Sequence, residues 1–319
     1  MKSAEEQVAQ LLRALAASTQ FEVSKLRKDV ALFALIVWVA AARKLLREQR
    51  RGALGVSAAM SMVQALLLGK FRSYEKRLAA QIEGIVLAQK LDFSKGMSKI
   101  TGDVKFGKTR RFSADSLSVM GFTLNETFRM QLQAFQQRLV LRLRTDSLLP
   151  ADTAISSVLG ARLADAEDLY DTLGGSYPDD DFSGRARLAE QALSIIPSTG
   201  PVAKLASGLI QTADDFAFTG LIDSTSALMS HSDAVSAIAA IVTEDDRTGE
   251  FCTKLVGGIW DVGTRKALPE SRVSVDFPGF SPYHPNCRTL NVPVFHAGLV
   301  FKSGVKASGK APELPAKRG

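Results

Sequence analysis

The hydrophobic pattern opens as a helix and stays helical for some ninety residues. Val8, Leu11, Leu12 and Leu15 recur at i, i+3, i+4 and i+7, which places them on one helical face. The pattern runs into Val30–Ala42, an uncharged stretch closed by Arg27–Lys28–Asp29 on one side and Arg43–Lys44 on the other. A cationic turn before Gly52 predicts the helix stop, and two more amphipathic helices are predicted over Val56–Leu68 and Arg72–Leu91. No proline interrupts the chain before Pro150. A membrane span takes about 20 apolar residues, so Val30–Ala42 reads as a helix buried in a bundle or between copies, with conditional insertion as the alternative. The first residues lack a basic region followed by an apolar core, so no signal peptide is expected.

Residues 92–113 break the pattern with glycines and predict a loop. Its cations, Lys95, Lys99, Lys105, Lys108, Arg110 and Arg111, oppose only Asp92 and Asp103, and Phe93, Phe106 and Phe112 lie among them. Such a segment can hold nucleic acid through phosphates, and single strands also by stacking. The plainer reading is a solvated loop anchored by its rings. Helix returns from Ala114: Phe128, Leu132, Phe135, Leu139 and Leu143 form one face up to Pro150, then Leu159, Leu163, Ala166 and Leu169 with Tyr170 form another. Acids gather here, at Asp165, Glu167, Asp168 and Asp171, then at Asp179–Asp181. Glu167 and Asp171 share a helix face and could divide acid and base roles or hold a cation; solvated acids are the plainer reading.

Beyond Pro197 and Gly200–Pro201 the pattern changes. Val235–Thr243 predicts a strand, followed by EDDRTGEFC, Gly257–Trp260, Val273–Val275, a proline-rich loop over Phe277–Pro285 and a terminal strand over Thr289–Phe295. From Lys302 the composition turns to Gly, Ala, Ser, Pro and Lys, which predicts a disordered tail carrying Lys302, Lys306, Lys310, Lys317 and Arg318. The fold class is therefore mainly α: a long helical N-terminal body, a small C-terminal α+β module and a disordered basic tail. The expected segments are 1–91 (basic helical), 92–113 (basic Gly/Phe loop), 114–234 (helical with an acidic stretch), 235–301 (α+β module) and 302–319 (cationic tail).

Composition narrows the chemistry. With 46% hydrophobic residues in 319, the chain can bury a core and is not wholly disordered. The formal charge of +7 is unevenly spread and points to phosphates as partners. Two cysteines exclude a disulfide framework. Walker, GxGxxG, GxSxG and HExxH motifs are absent. Cys252 or Cys287 with His284 as base, and Asp245 or Asp246 behind it, can be drawn as a nucleophilic set, but nothing in the sequence supplies the oxyanion donors. Cys252, His284 and Cys287 also suit a structural zinc, with Asp246 or His296 completing four ligands. Otherwise the cysteines are small buried hydrophobes. Asp245, Asp246 and Arg247, with Arg288, suit charge-assisted hydrogen bonds that pin loops.

The run TEDDRT from Thr243 to Thr248, then Cys252, Gly258–Ile259–Trp260, and Pro282-Tyr-His-Pro-Asn-Cys-Arg288 before a strand ending in Val292–Pro293–Val294, resembles the phage Mu F-like head morphogenesis family. Asp245 or Asp246, Arg247, Thr248, Cys252, Gly258, His284, Cys287 and Arg288 fall on its pattern. Thr289 stands where a second cysteine is usual, and Val256–Gly257 where many members carry a histidine. The resemblance implies a minor head protein in the capsid interior near the portal, present in the host cytoplasm during assembly and aiding assembly or DNA ejection. Its implied partners are the portal protein, sister copies and packaged double-stranded DNA met through phosphates, with neither catalysis nor a cofactor required. Three alternatives accompany it: an ejected, membrane-active conduit using Val30–Ala42, a toxin-like or nucleic-acid-modifying enzyme around Cys252 and His284, and a nucleoid-type DNA binder.

Overall fold

The computed structural model describes residues 2–50, 56–102, 118–119, 122–123, 163–173, 185–195, 233–242, 248–281, 283, 287 and 289–312, with scattered positions between 207 and 229. The chain is mainly helical with a small three-stranded antiparallel sheet. It divides into two compact units: Met1–Phe21, Ile82–Met120 and Asp214–Gly319 make the first, Glu22–Gln81 and Gly121–Ala213 the second.

Helix α1 (Ala4–Arg50) starts on a capping box. The Glu6 N–H donates to Ser3 Oγ at 3.2 Å, and the Ser3 N–H donates to Glu6 Oε2 at 2.9 Å. Helix α2 (Val56–Thr101) is continuous where two shorter helices and the start of a loop were expected. The loop predicted from residue 92 is thus helix as far as Thr101. Phe93, Met97 and Ile100 carry the buried face onward, and Gly96 is a site of close approach: a Cβ there would lie 2.5 Å from Leu11 Cδ1. Gln89 donates to Thr19 Oγ1 between the same two helices.

In the first unit these helices share a core with the sheet. Val8, Leu12, Leu15, Phe93 and Met97 pack with Val235, Ile238, Ile241, Val292 and Phe295. Strand β1 (Val235–Ile241) lies between β2 (Ile259–Asp261) and β3 (Leu290–Phe295), antiparallel to both. Being central and covered, β1 is buried at all but one position, which is why it reads as an apolar run interrupted only at Ser236. Ile238 pairs with Trp260 on one side and Pro293 on the other. Pro293 is tolerated because β3 is an edge strand.

The C-terminal segment corrects the expectation of disorder as far as Pro312. Residues 299–307 form a tight hairpin: Phe301 N–H donates to Val305 O at 2.9 Å, Ala307 N–H to Leu299 O at 2.8 Å, and Gly304 turns the chain at φ 81°. Phe301 and Ala307 enter the core, Phe301 edge-on to Phe295 at 4.9 Å. Glu5, fully buried, fastens this segment to α1. Its carboxylate accepts from the N–H groups of Phe295 (3.3 Å), Ser308 (3.0 Å) and Gly309 (3.1 Å) and from Ser308 Oγ (3.0 Å).

In the second unit, Leu32, Leu35, Ile36 and Val39 of α1 pack against Ala166 and Leu169 of α3 (Leu163–Thr172) and Leu188 and Ala192 of α4 (Arg185–Ile195). Phe33 stacks on Tyr74 of α2 at 3.9 Å. Within the uncharged stretch, residues 30–37, Val39 and Ala40 are therefore buried in a packed helix. Among the described residues no helix is long and apolar enough to cross a membrane. The amphipathic stretch Phe128–Leu143 and the acids Asp179–Asp181 lie outside the described residues.

Candidate functional site

Cys252, Gly258 and Cys287 meet in one small core in the first unit. A single helical turn, α5 (Glu250–Thr253), carries Cys252. Its Sγ lies 3.6 Å from Cys287 Sγ, both buried, in a cluster with Ala240, Val242, Leu255 and Trp260. Trp260 is the centre of this cluster: fully buried, its indole N–H donates to Val275 O at 2.8 Å, and its ring tilts against Phe277 at 5.3 Å. Gly258 is glycine for a steric reason, since a Cβ there would stand 2.2 Å from Trp260 Cη2. Gly257 turns the chain at φ 76°, a conformation open to glycine. Gly258 O then accepts the Ala240 N–H at 2.9 Å, joining the turn to β1.

A strap that includes Gly279, Ser281, Tyr283, Cys287 and Thr289 lies against α5. Tyr283 Oη donates to Gly279 O at 2.8 Å, Asn291 Nδ2 donates to Tyr283 Oη at 3.4 Å, and the Ser281 N–H donates to Asn291 Oδ1 at 3.1 Å. Phe251 of α5 meets the Tyr283 ring at 5.3 Å. Burial pushes the Tyr283 hydroxyl up to about 12. Burial also pushes the Cys252 thiol up to about 11, helped by the adjacent Cys287 and opposed by the nearby Thr289 hydroxyl. Thr289, at the place of the family's second cysteine, is thus beside Cys252. At neutral pH Cys252 is a protonated thiol, which is a poor nucleophile.

Of the other predicted site residues, Thr248 lies just ahead of α5, while Asp245, Asp246, Arg247, His284 and Arg288 lie outside the described residues. His296 is exposed in the turn after β3, unlike the two cysteines it was grouped with. Among the described residues no group of three or more His, Cys, Asp or Glu is placed to hold a metal.

Asp171 faces solvent and Glu167 partly does, in keeping with the plainer reading of the sequence, and both are held by Arg43. Arg43 donates from both terminal nitrogens to Asp171 at 2.7 Å and from Nε to Glu167 at 3.1 Å, with its guanidinium 4.8 Å from the Tyr170 ring centre. The two acids clamp α1 to α3. The predicted DNA-contact lysines that are described face solvent: Lys95 and Lys99 on α2, Lys302 and Lys306 on the hairpin, and Lys310 beyond it. Lys302 stands at the end of α2, since a Cβ at Gly102 would lie 2.8 Å from its own Cβ. Lys105, Lys108, Arg110, Arg111, Lys317 and Arg318 lie outside the described residues.

Sequence reasoning did not single out Trp260, Asn291 or Arg43 for these roles. A tryptophan shortly after a Gly–Gly pair was the available signal for the first. Nothing local announced the other two, whose partners are set by the fold. Compared with protein-family models, with curated proteins and with solved structures, the chain matches none.

Proposed function

We propose that the chain is a phage minor head protein of the Mu F-like type, acting inside the capsid, docking on the portal and meeting packaged DNA through its phosphates. The observation that carries this reading is the meeting of Cys252 and Cys287, 35 residues apart in sequence and 3.6 Å apart at the sulfurs, around Trp260 and Gly258. Residues that belong to one motif only by spacing thereby become one structural unit. A head protein needs no reacting group there; it needs a rigid module that presents a surface, and a buried aromatic centre with two small buried thiols suits that role.

The second support is electrostatic. Lys95, Lys99, Lys302, Lys306 and Lys310 are exposed on the unit that contains the motif core. Lysines on a surface bind phosphates as point charges without reading bases, as packaged DNA of any sequence requires. Docking on a portal ring adds many modest contacts through symmetry. Quantitative mass spectrometry of purified particles tests the reading. A fixed low copy number relative to portal supports it, and loss of the chain on triggered DNA release assigns it to the ejected fraction. Absence from particles that contain portal overturns it.

A further inference from the structure

We propose that Cys252 and Cys287 are a site of reversible oxidation, forming a disulfide by exchange with a small-molecule disulfide of the glutathione class and so fastening the strap to α5. The inference goes beyond the head-protein reading and stands whether or not the chain is a virion component.

The geometry is that of two thiols in contact. Their sulfurs are 3.6 Å apart, and closing to a bond of about 2.05 Å asks each to move less than about 1 Å, within the reach of side-chain rotation. They lie on different elements, Cys252 on α5 and Cys287 on the strap, so a bond between them joins segments that otherwise meet through Phe251 against Tyr283, while the Tyr283–Gly279 and Ser281–Asn291 hydrogen bonds hold the strap to itself and to β3. Two sulfurs on one tetrahedral zinc also sit about 3.8 Å apart. Such a metal needs further ligands, and among the described residues no third group of that kind joins them. Zinc release on thiol modification therefore separates the two chemistries.

The exchange balances in two steps. A thiolate of the pair attacks one sulfur of the small disulfide, breaks its S–S bond and expels one small thiolate, leaving a mixed disulfide. The partner thiolate then attacks the protein-side sulfur and expels the second small thiolate. The protein loses two electrons and two protons, and the small disulfide becomes two thiols. Burial of both sulfurs requires the strap to open first, and the raised Cys252 thiol supplies little thiolate at neutral pH. Cross-linking is therefore slow at pH 7 and faster as pH rises.

The test uses the full-length chain, reduced and then equilibrated in mixtures of oxidised and reduced glutathione, without denaturant. Acid quenching, alkylation under denaturing conditions and intact mass follow. The expected product has lost about 2 Da, resists alkylation, yields one peptide pair joining Cys252 to Cys287, reverts with dithiothreitol and melts at a higher temperature than the reduced chain. Cys252→Ser and Cys287→Ser should each abolish the intrachain product. The wild-type comparison with and without dithiothreitol decides the matter should a variant fail to fold. Three results overturn the proposal: thiols that stay alkylatable after oxidation at pH 8.5, a cross-linked form that melts below the reduced one, or stoichiometric zinc released when the thiols are modified.

Discussion

At the scale of single residues, the molecule turns on side chains whose surroundings come from far along the chain or from an unexpected fold-back. Gly258 matched the motif by position, but its reason is local: the ring of Trp260 turns back over it and fills the space of a side chain. Gly258→Ala must displace a fully buried indole, so it is expected to cost about 1–3 kcal/mol by overpacking. Gly263, in the turn after β2, is the internal control. A Cβ there meets only Asp261 Oδ1, at the ordinary contact distance of 3.6 Å, so Gly263→Ala should stay within about 0.5 kcal/mol of wild type. Urea unfolding followed by tryptophan fluorescence in a Trp38→Phe background, where Trp260 alone reports, separates the two. Equal effects would mean that the ring does not fix the glycine. Glu5 shows the opposite limit of legibility. It stands in the first turn of α1, where the helix dipole favours an acid, and the carboxylate is buried under donors from Phe295, Ser308 and Gly309. Helical periodicity carries no information about partners some 300 residues away.

At the scale of elements, hydrophobic period was a good guide, while glycine marked the end of α1 before Gly52 but not the end of α2. The buried faces of α1 and α2 and the apolar run of β1 follow from spacing alone. The end of α2 does not, because Gly96 serves the passage of Leu11 and does not end the helix. The clamp between α1 and α3 makes a pH prediction. Hydrogen bonding to Arg43 holds the Asp171 carboxyl below its usual range, and Lys28 does the same for Glu190 of α4. A carboxyl lowered in the folded state contributes stability that is present above its unfolded value, near pH 4, and is lost as pH falls through the lowered one. The melting temperature of Arg43→Gln should therefore fall below that of wild type at pH 6 and approach it near pH 2. Because Asp171 is exposed, added salt should narrow the gap at pH 6 as well. A gap that stays constant with pH would assign the effect of Arg43 to its packing on Tyr170.

At the scale of the molecule, charge and topology meet in the first unit. The tail from Lys302 looked unable to pack because its composition is poor in large apolar residues. Two residues, Phe301 just ahead of it and Ala307 within it, suffice once Glu5 gathers the backbone N–H groups that follow. Lys302, Lys306 and Lys310 are consequently held on a folded segment, with Lys302 beside the end of the helix that carries Lys95 and Lys99. Cations held in place lose less freedom on meeting a phosphate backbone than cations on a free tail. Binding to duplex DNA of arbitrary sequence should then weaken linearly in log K against log salt, with a slope of about 0.9 for each phosphate engaged. Replacing Lys95, Lys99 and Lys302 by Gln should reduce that slope by up to about 3 while leaving the melting temperature within a few degrees of wild type. The same loss should appear on unrelated duplexes, because phosphate contacts carry no base preference. A slope that does not change would move the DNA contact away from these lysines, and a loss confined to one sequence would point to base reading, which lysines at phosphate distance do not provide.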